Sequence, residues 1–122
     1  MHSDALKTLV ISALEDVKAR DIALLDVSRL TSVTEWMIVA SGTSSRHLSA
    51  LSQQVIQKTK DAGVPPLGVE GENGTEWVLV DLGDVVVHLM MPETRELYDL
   101  ERLWADLPAD DRANLDERRR LS

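Results

Sequence analysis

Neither cysteine nor phenylalanine occurs anywhere in the 122 residues. Without cysteine there can be no disulfide, no thiol nucleophile and no thiolate metal site. Without phenylalanine the core has to be aliphatic, so the few large rings stand out: Trp36, Trp77, Tyr98 and Trp104. No apolar run approaches the roughly 18 residues that a membrane-spanning helix requires. Residues Met1 to Leu9 lack the basic start and apolar stretch of a secretion signal. With the missing cysteines, this points to the cytoplasm. Positive charge is also scarce. Thirteen Lys and Arg against 21 Asp and Glu leave a formal net charge of −8. A chain this acidic is a poor binder of phosphate backbone and is drawn to basic protein surfaces, although solubility alone accounts for many acidic domains.

What remains is the composition of one globular domain, with 43% apolar and 28% charged residues. Residues 3–19 carry Leu6, Leu9, Val10, Ala13, Leu14 and Val17 at helical spacing, with Ser3 and Asp4 as capping candidates. Residues 21–27 read as a short strand. Residues 36–40 are apolar on both faces, as a central, doubly covered strand should be. A second helix follows over 45–62, its buried side marked by Leu48, Leu51, Val55 and Ala62. Gly63 ends it and Pro65-Pro66 prevents its continuation. Residues 67–70 form a brief strand. Pro92 opens a last helical segment with apolar Leu97, Leu100, Leu103 and Trp104, and Asp99 marks a bend and restart near Tyr98. Residues 1–107 form the folded domain. Residues 108–122 are charged and nearly free of apolar side chains, which predicts a disordered tail. The order α-β-β-α-β-β-β-α gives an α/β (α+β) fold with a mixed sheet of about five strands.

The organising stretch is 75–91, TEWVLVDLGDVVVHLMM. Gly83-Asp84 between two strands fits a type II′ turn, because glycine takes the positive-φ position without strain. A two-residue loop sets the register: Leu82 faces Val85, Asp81 faces Val86, Val80 faces Val87, Leu79 faces His88, Val78 faces Leu89 and Trp77 faces Met90. One face of the hairpin is then wholly aliphatic. The other mixes Trp77, Leu79, Asp81, Val86, His88 and Met90. Such a mixture suits a docking surface with an aromatic anchor, adaptable apolar side chains and orienting polar groups. It also suits a face covered by helices, with Trp77 as ordinary core, and pattern alone does not choose between them.

Candidate chemistry is thin. The loop Ser41-Gly42-Thr43-Ser44-Ser45 precedes a helix N-terminus, where backbone N–H groups can hold an anion. It lacks a dinucleotide fingerprint and a Gly-Lys-Ser/Thr, and hydroxyl-rich helix starts usually serve as caps. A nucleotidyltransferase site needs spaced carboxylates for two metals, and no Asp-x-Asp or Asp-x-Glu pair occurs on a following strand. His47, His88, Asp81 and Asp84 lack metal-ligand spacing. On the register above, His88 neighbours Asp81 diagonally, which reads as a hydrogen-bonded pair. No catalytic set and no cofactor site emerge.

Three segments together carry a resemblance: ASGTSSRH at 40–47, EWVLVDLGDVVVH at 76–88 and PETRELYDLERLW at 92–104. They closely resemble the ribosomal silencing factor family, also called Iojap-related, over about residues 4–107. The resemblance implies a fold similar to nucleotidyltransferases but without their catalytic carboxylates, hence a non-enzyme. It implies binding to large-subunit ribosomal protein 14 on the large ribosomal subunit, with repression of translation in stationary phase or starvation by blocking small-subunit joining. The absent transit peptide points to the bacterial form. On this reading Trp77 anchors the contact, with Leu79, Val86, His88 and Met90 around it. Asp81, Asp84 and Glu70 meet basic groups, and Tyr98 extends the patch. A surface of this kind can also pair with itself, so a homodimer of the free protein is a further expectation.

Overall fold

The computed structural model describes residues 1–71 and 76–102. The predicted tail, Leu103, Trp104 and the turn at 72–75 lie outside the described residues. The elements are α1 (Ser3–Asp16), β1 (Arg20–Asp26), β2 (Trp36–Ser41), α2 (Ser45–Asp61), β3 (Gly68–Glu70), β4 (Trp77–Asp81), β5 (Val85–Met90) and α3 (Pro92–Tyr98). The five strands form one sheet in the order β1-β2-β5-β4-β3. The β2–β5 pair is parallel and the other three pairs are antiparallel, so the sheet is mixed as expected.

Helix α1 buries Leu6, Val10, Ala13 and Leu14 of the predicted stripe, while Leu9 and Val17 are half-buried. Its N-cap is not Ser3 or Asp4 but His2, whose Nδ1 accepts the Asp4 N–H at 3.2 Å. Ser3 is buried and donates its hydroxyl to the Glu35 carboxylate. The helix also stops earlier than residue 19. Ala19 N–H reaches the Leu14 carbonyl at 2.9 Å and Lys18 N–H the Glu15 carbonyl at 3.0 Å, the paired bonds of a Schellman ending. Lys18 holds the left-handed position at φ 60° that glycine usually fills.

Helix α2 starts at Ser44, whose side chain accepts the His47 N–H at 3.1 Å. It buries Leu48, Leu51, Ser52, Val55 and Thr59 on one side. The two buried hydroxyls are satisfied within the helix, Ser52 on the Ser49 carbonyl and Thr59 on the Val55 carbonyl, each at 2.9 Å. Gly63, at φ 82°, ends the helix as predicted. Gly42 is buried where β2 turns into α2, and a Cβ there would lie 2.7 Å from Leu48 Cδ2. Only glycine lets the loop pack this closely on the helix.

The hairpin register matches the expectation at every pair from Trp77–Met90 to Asp81–Val86, and Leu82 N–H meets the Val85 carbonyl at 2.9 Å. Gly83 has φ 86° while Asp84 is not among the positive-φ residues, as a type II′ turn requires. The aliphatic face of the hairpin, with Ile38 and Ala40 of β2, packs against α1 and α2 in one continuous core.

The opposite face of the sheet is not under those two helices. A smaller cluster of Val27, Met37, Val39, Met90 and Leu100 forms there, with Ala23, Leu25, Leu30 and Trp77 packed at its margin. Two pieces of chain cover this cluster: the turn after β1 that brings in Val27 and Leu30, and the segment after α3 that brings in Leu100.

Candidate functional site

On the open face the register lines side chains into rows across the strands. Glu70, Leu79, His88, Val39 and Ala23 form one row, and Asp81, Val86, Met37 and Leu25 the next. Trp77, the first residue of β4, stands beside the first row and is half-buried. Its indole N–H donates to His88 Nδ1 at 3.0 Å. The Tyr98 ring also packs against the indole, with centroids 4.8 Å apart and planes tilted by 51°. Between the rim of β3 and this stack lies a shallow groove of ≈ 360 Å³, lined by Glu70, Gly71, Trp77, Leu79 and His88.

Helix α3 brings Tyr98 to this place. Pro92 occupies its first turn, where a missing N–H is harmless. Arg95 fastens the helix twice, Nη1 donating to Ser41 Oγ at 2.9 Å and Nε to Glu101 Oε1 at 2.6 Å. Glu76 fastens it again, accepting the Thr94 hydroxyl at 3.2 Å and, through its carbonyl, the Met91 N–H at 2.9 Å. Asp99 then turns left-handed at φ 47° and ends the helix. The chain restarts as a helix at Leu100, which is buried against Met90 and its neighbours. The bend and restart expected at Asp99 are therefore present.

Of the residues nominated from the sequence, Trp77, Leu79, Val86, Glu70 and Tyr98 are exposed or half-exposed on this side or its rim, and Asp84 is exposed at the hairpin tip. Met90 is not available, because it is fully buried beneath Leu100. His88 is only 7% exposed, so it lines the floor of the groove rather than offering a surface. Its Nδ1 accepts from the indole, whereas Asp81, the partner expected from the register, turns its Oδ1 to the Gly83 N–H at 2.9 Å and braces the hairpin tip. Leu97, one of the apolar positions named for the last helical segment, is 78% exposed next to Tyr98, itself 54% exposed. Gly71 lines the groove and is a part of it that hydrophobic spacing did not reveal, since its position depends on how the β3 edge meets the sheet.

The loop after β2 has a different character. Gly42 N–H is bonded to the Met90 carbonyl at 3.2 Å, and Thr43 N–H to His47 Nδ1 at 2.9 Å. The other ring nitrogen of His47 meets the Val17 carbonyl at 2.7 Å, so this imidazole ties the loop to the end of α1. The adjoining cleft of ≈ 480 Å³ is lined by the carboxylates Glu76 and Glu93 as well as Thr43, Ser45 and Thr94. With the Gly42 and Thr43 N–H groups engaged within the protein and two acids on the wall, the cleft makes a poor phosphate cradle. Among the described residues no group of three or more His, Cys, Asp and Glu side chains is placed to hold a metal, and no helix is long and apolar enough to cross a membrane.

Comparison with known proteins supplies a family. The family model described as ribosomal silencing factor during starvation matches residues 1–122. A Chromobacterium violaceum protein named ribosomal silencing factor RsfS is 52% identical over 104 residues, covering 85% of this chain and 85% of that one. A mouse protein named mitochondrial assembly of ribosomal large subunit protein 1 is 38% identical over 106 residues, covering 84% of this chain and 46% of its own length. Among solved structures, a crystal structure of a Chromobacterium violaceum protein has a TM-score of 0.84 at 50% identity, covering 88% of this chain and 90% of that chain.

Proposed function

We propose a ribosome-docking role from one premise, that this chain belongs to the ribosomal silencing factor family. The protein binds the large ribosomal subunit through large-subunit ribosomal protein 14 and keeps the small subunit from joining, which represses translation in stationary phase or starvation. The observation that carries this reading is Trp77, half-exposed at an open groove on the sheet face that α1 and α2 leave bare.

The surface suits a basic protein partner. Trp77, Tyr98 and exposed Leu97 supply apolar area, and Glu70 and Asp84 supply exposed carboxylates at its rim. Buried Trp and Tyr anchors of this kind each contribute about 2 kcal/mol or more when truncated. The block itself needs only bulk: a domain of this size is roughly 25–30 Å across, enough to occupy a surface that the small subunit must approach. The same patch pairs two copies when no ribosome is present, and dilution on a sizing column would dissolve that homodimer.

The test is a sucrose-gradient profile of separated subunits, with and without saturating protein. Added protein is expected to hold the subunits apart and to travel with the large one. Trp77→Ala and Tyr98→Ala are expected to fold but to leave the large-subunit fraction. Full subunit joining at saturating protein would sink the reading, and undiminished co-sedimentation of both variants would move the contact to another surface.

A further inference from the structure

We infer that His88 is a positioning residue for docking: it holds the Trp77 indole by accepting its N–H, so that the partner meets this ring only as an apolar and π surface. This rests on the docking reading above and adds a specific division of labour within it.

Trp77 faces Met90 across the hairpin, whereas His88 faces Leu79. The indole therefore leans diagonally along the ladder to place Nε1 at 3.0 Å from His88 Nδ1. His88 is in no position to follow a moving partner. It belongs to β5, paired on both sides, with Val39 and Leu79 as its cross-strand neighbours, and it is 93% buried. An imidazole fixed in this way is a stationary acceptor. Its Nδ1 accepts only while that nitrogen lacks a proton, which assigns the proton of the neutral ring to Nε2. The Tyr98 ring packs on the indole as well, with ring centroids 4.8 Å apart. The anchor is thus oriented before the partner arrives, which removes part of the ordering cost of binding.

The bond of His88 Nδ1 goes to the half-exposed ring at the mouth of the groove. The consequence bears on the partner. A tryptophan at an interface ordinarily uses its N–H as a polar handle toward the other molecule. Here that handle points inward, so the partner segment over Trp77 need not offer an acceptor. It should offer aliphatic area or a cationic stem, in keeping with the negative rim at Glu70.

The experiment uses the full chain with ¹⁵N-labelled indoles and purified large ribosomal subunits. His88→Leu removes the acceptor, His88→Gln moves it away from the Nδ1 position, and His88→Asn keeps an oxygen close to it. The Leu and Gln variants are expected to move the Trp77 indole N–H resonance toward that of an unbonded indole and to weaken subunit binding by about tenfold. The Asn variant should restore both, a rescue that a purely structural role would not show. Two variants without the acceptor keep the test alive if one of them does not fold. An unmoved indole resonance in the folded variants would overturn the inference, and so would parent-like binding despite a moved resonance. Trp77→Ala reports separately on the docking reading. If it binds like the parent, that reading fails and this inference about docking falls with it, whereas loss of binding in Trp77→Ala with full binding in His88→Leu rejects the role of His88 alone.

Discussion

Nη1 of Arg95 donates to the hydroxyl of Ser41 at 2.9 Å, joining the middle of α3 to the end of β2 across 54 residues of sequence. Ser41 is buried and the Arg95 side chain is only 14% exposed, so this contact is sheltered from water. The same guanidinium reaches Glu101 beyond the helix break at Asp99. One side chain therefore clamps both limbs of the bend that carries Tyr98 toward Trp77. Arg95→Met keeps most of the stem and removes every donor. Its expected cost is about 1–3 kcal/mol, the range for losing charge-assisted hydrogen bonds. Denaturant unfolding measures this, and hydrogen exchange should show faster opening over 92–101. An unchanged midpoint and unchanged exchange would mean that packing of Leu100 alone holds the bend.

Gly42 is expected to be intolerant of even one methyl group. An added Cβ would meet Leu48 Cδ2 at 2.7 Å and the Leu48 backbone nitrogen at 3.3 Å. The first contact can be relieved by a rotamer change only at the expense of a fully buried side chain, and the second cannot yield without moving α2. Gly42→Ala should destabilise by about 1–3 kcal/mol, as overpacking does. The midpoint of urea unfolding should fall with its slope unchanged. A parent-like midpoint would show that the loop is looser than its contacts imply.

The parts of the fold legible in the sequence were those decided locally. A two-residue Gly83-Asp84 loop leaves one register, and the alternation of Val78, Val80 and Leu82 against Trp77, Leu79 and Asp81 leaves one face for the core. The parts that were not legible depend on distant chain. Met90 has the right parity for the open face but is covered by Leu100, which arrives only after the turn at Asp99. Leu97 keeps helical spacing with Leu100, but the left-handed turn between them breaks the periodicity, so Leu100 goes inside and Leu97 outside. The early end of α1 carries no glycine to announce it, since Lys18 takes the left-handed position. His88 could be placed beside both Trp77 and Asp81 by register, but the choice between them needed the orientation of the indole.

The acid limb of stability has one local contributor that can be isolated. The Ser28 hydroxyl and then the Ser28 backbone N–H both donate to Asp26 and hold its carboxyl below the ordinary value of 3.8. A group with a lowered folded-state pKa stabilises the fold above its unfolded pKa, and that contribution fades as pH falls through the folded value. Asp26→Ala should therefore be slightly less stable than the parent at neutral pH. The difference should close below about pH 4, starting where the unfolded carboxylate begins to bind its proton. Parallel stability curves for the two proteins from pH 7 to pH 2 would refute the linkage.

The rim carboxylates should act on the rate of encounter more than on the lifetime of the complex. Glu70 is exposed beside the groove and Asp84 is exposed at the hairpin tip, whereas Asp81 is half-buried and engaged with Gly83. Charges at a rim steer association and are screened by salt over about 8–10 Å at physiological ionic strength. Glu70→Lys and Asp84→Lys reverse the sign of that field without touching the indole. Each should slow association with the large subunit by about threefold to tenfold at low salt, with dissociation nearly unchanged and the gap narrowing as salt rises. Asp81→Asn should leave the encounter rate almost untouched, because its carboxylate faces the turn. Stopped-flow binding of labelled protein at two ionic strengths separates these cases. Equal association rates for the parent and both lysine variants at low salt would mean that the acidic rim plays no part in finding the ribosome, and the contact would then rest on Trp77, Tyr98 and Leu97 alone.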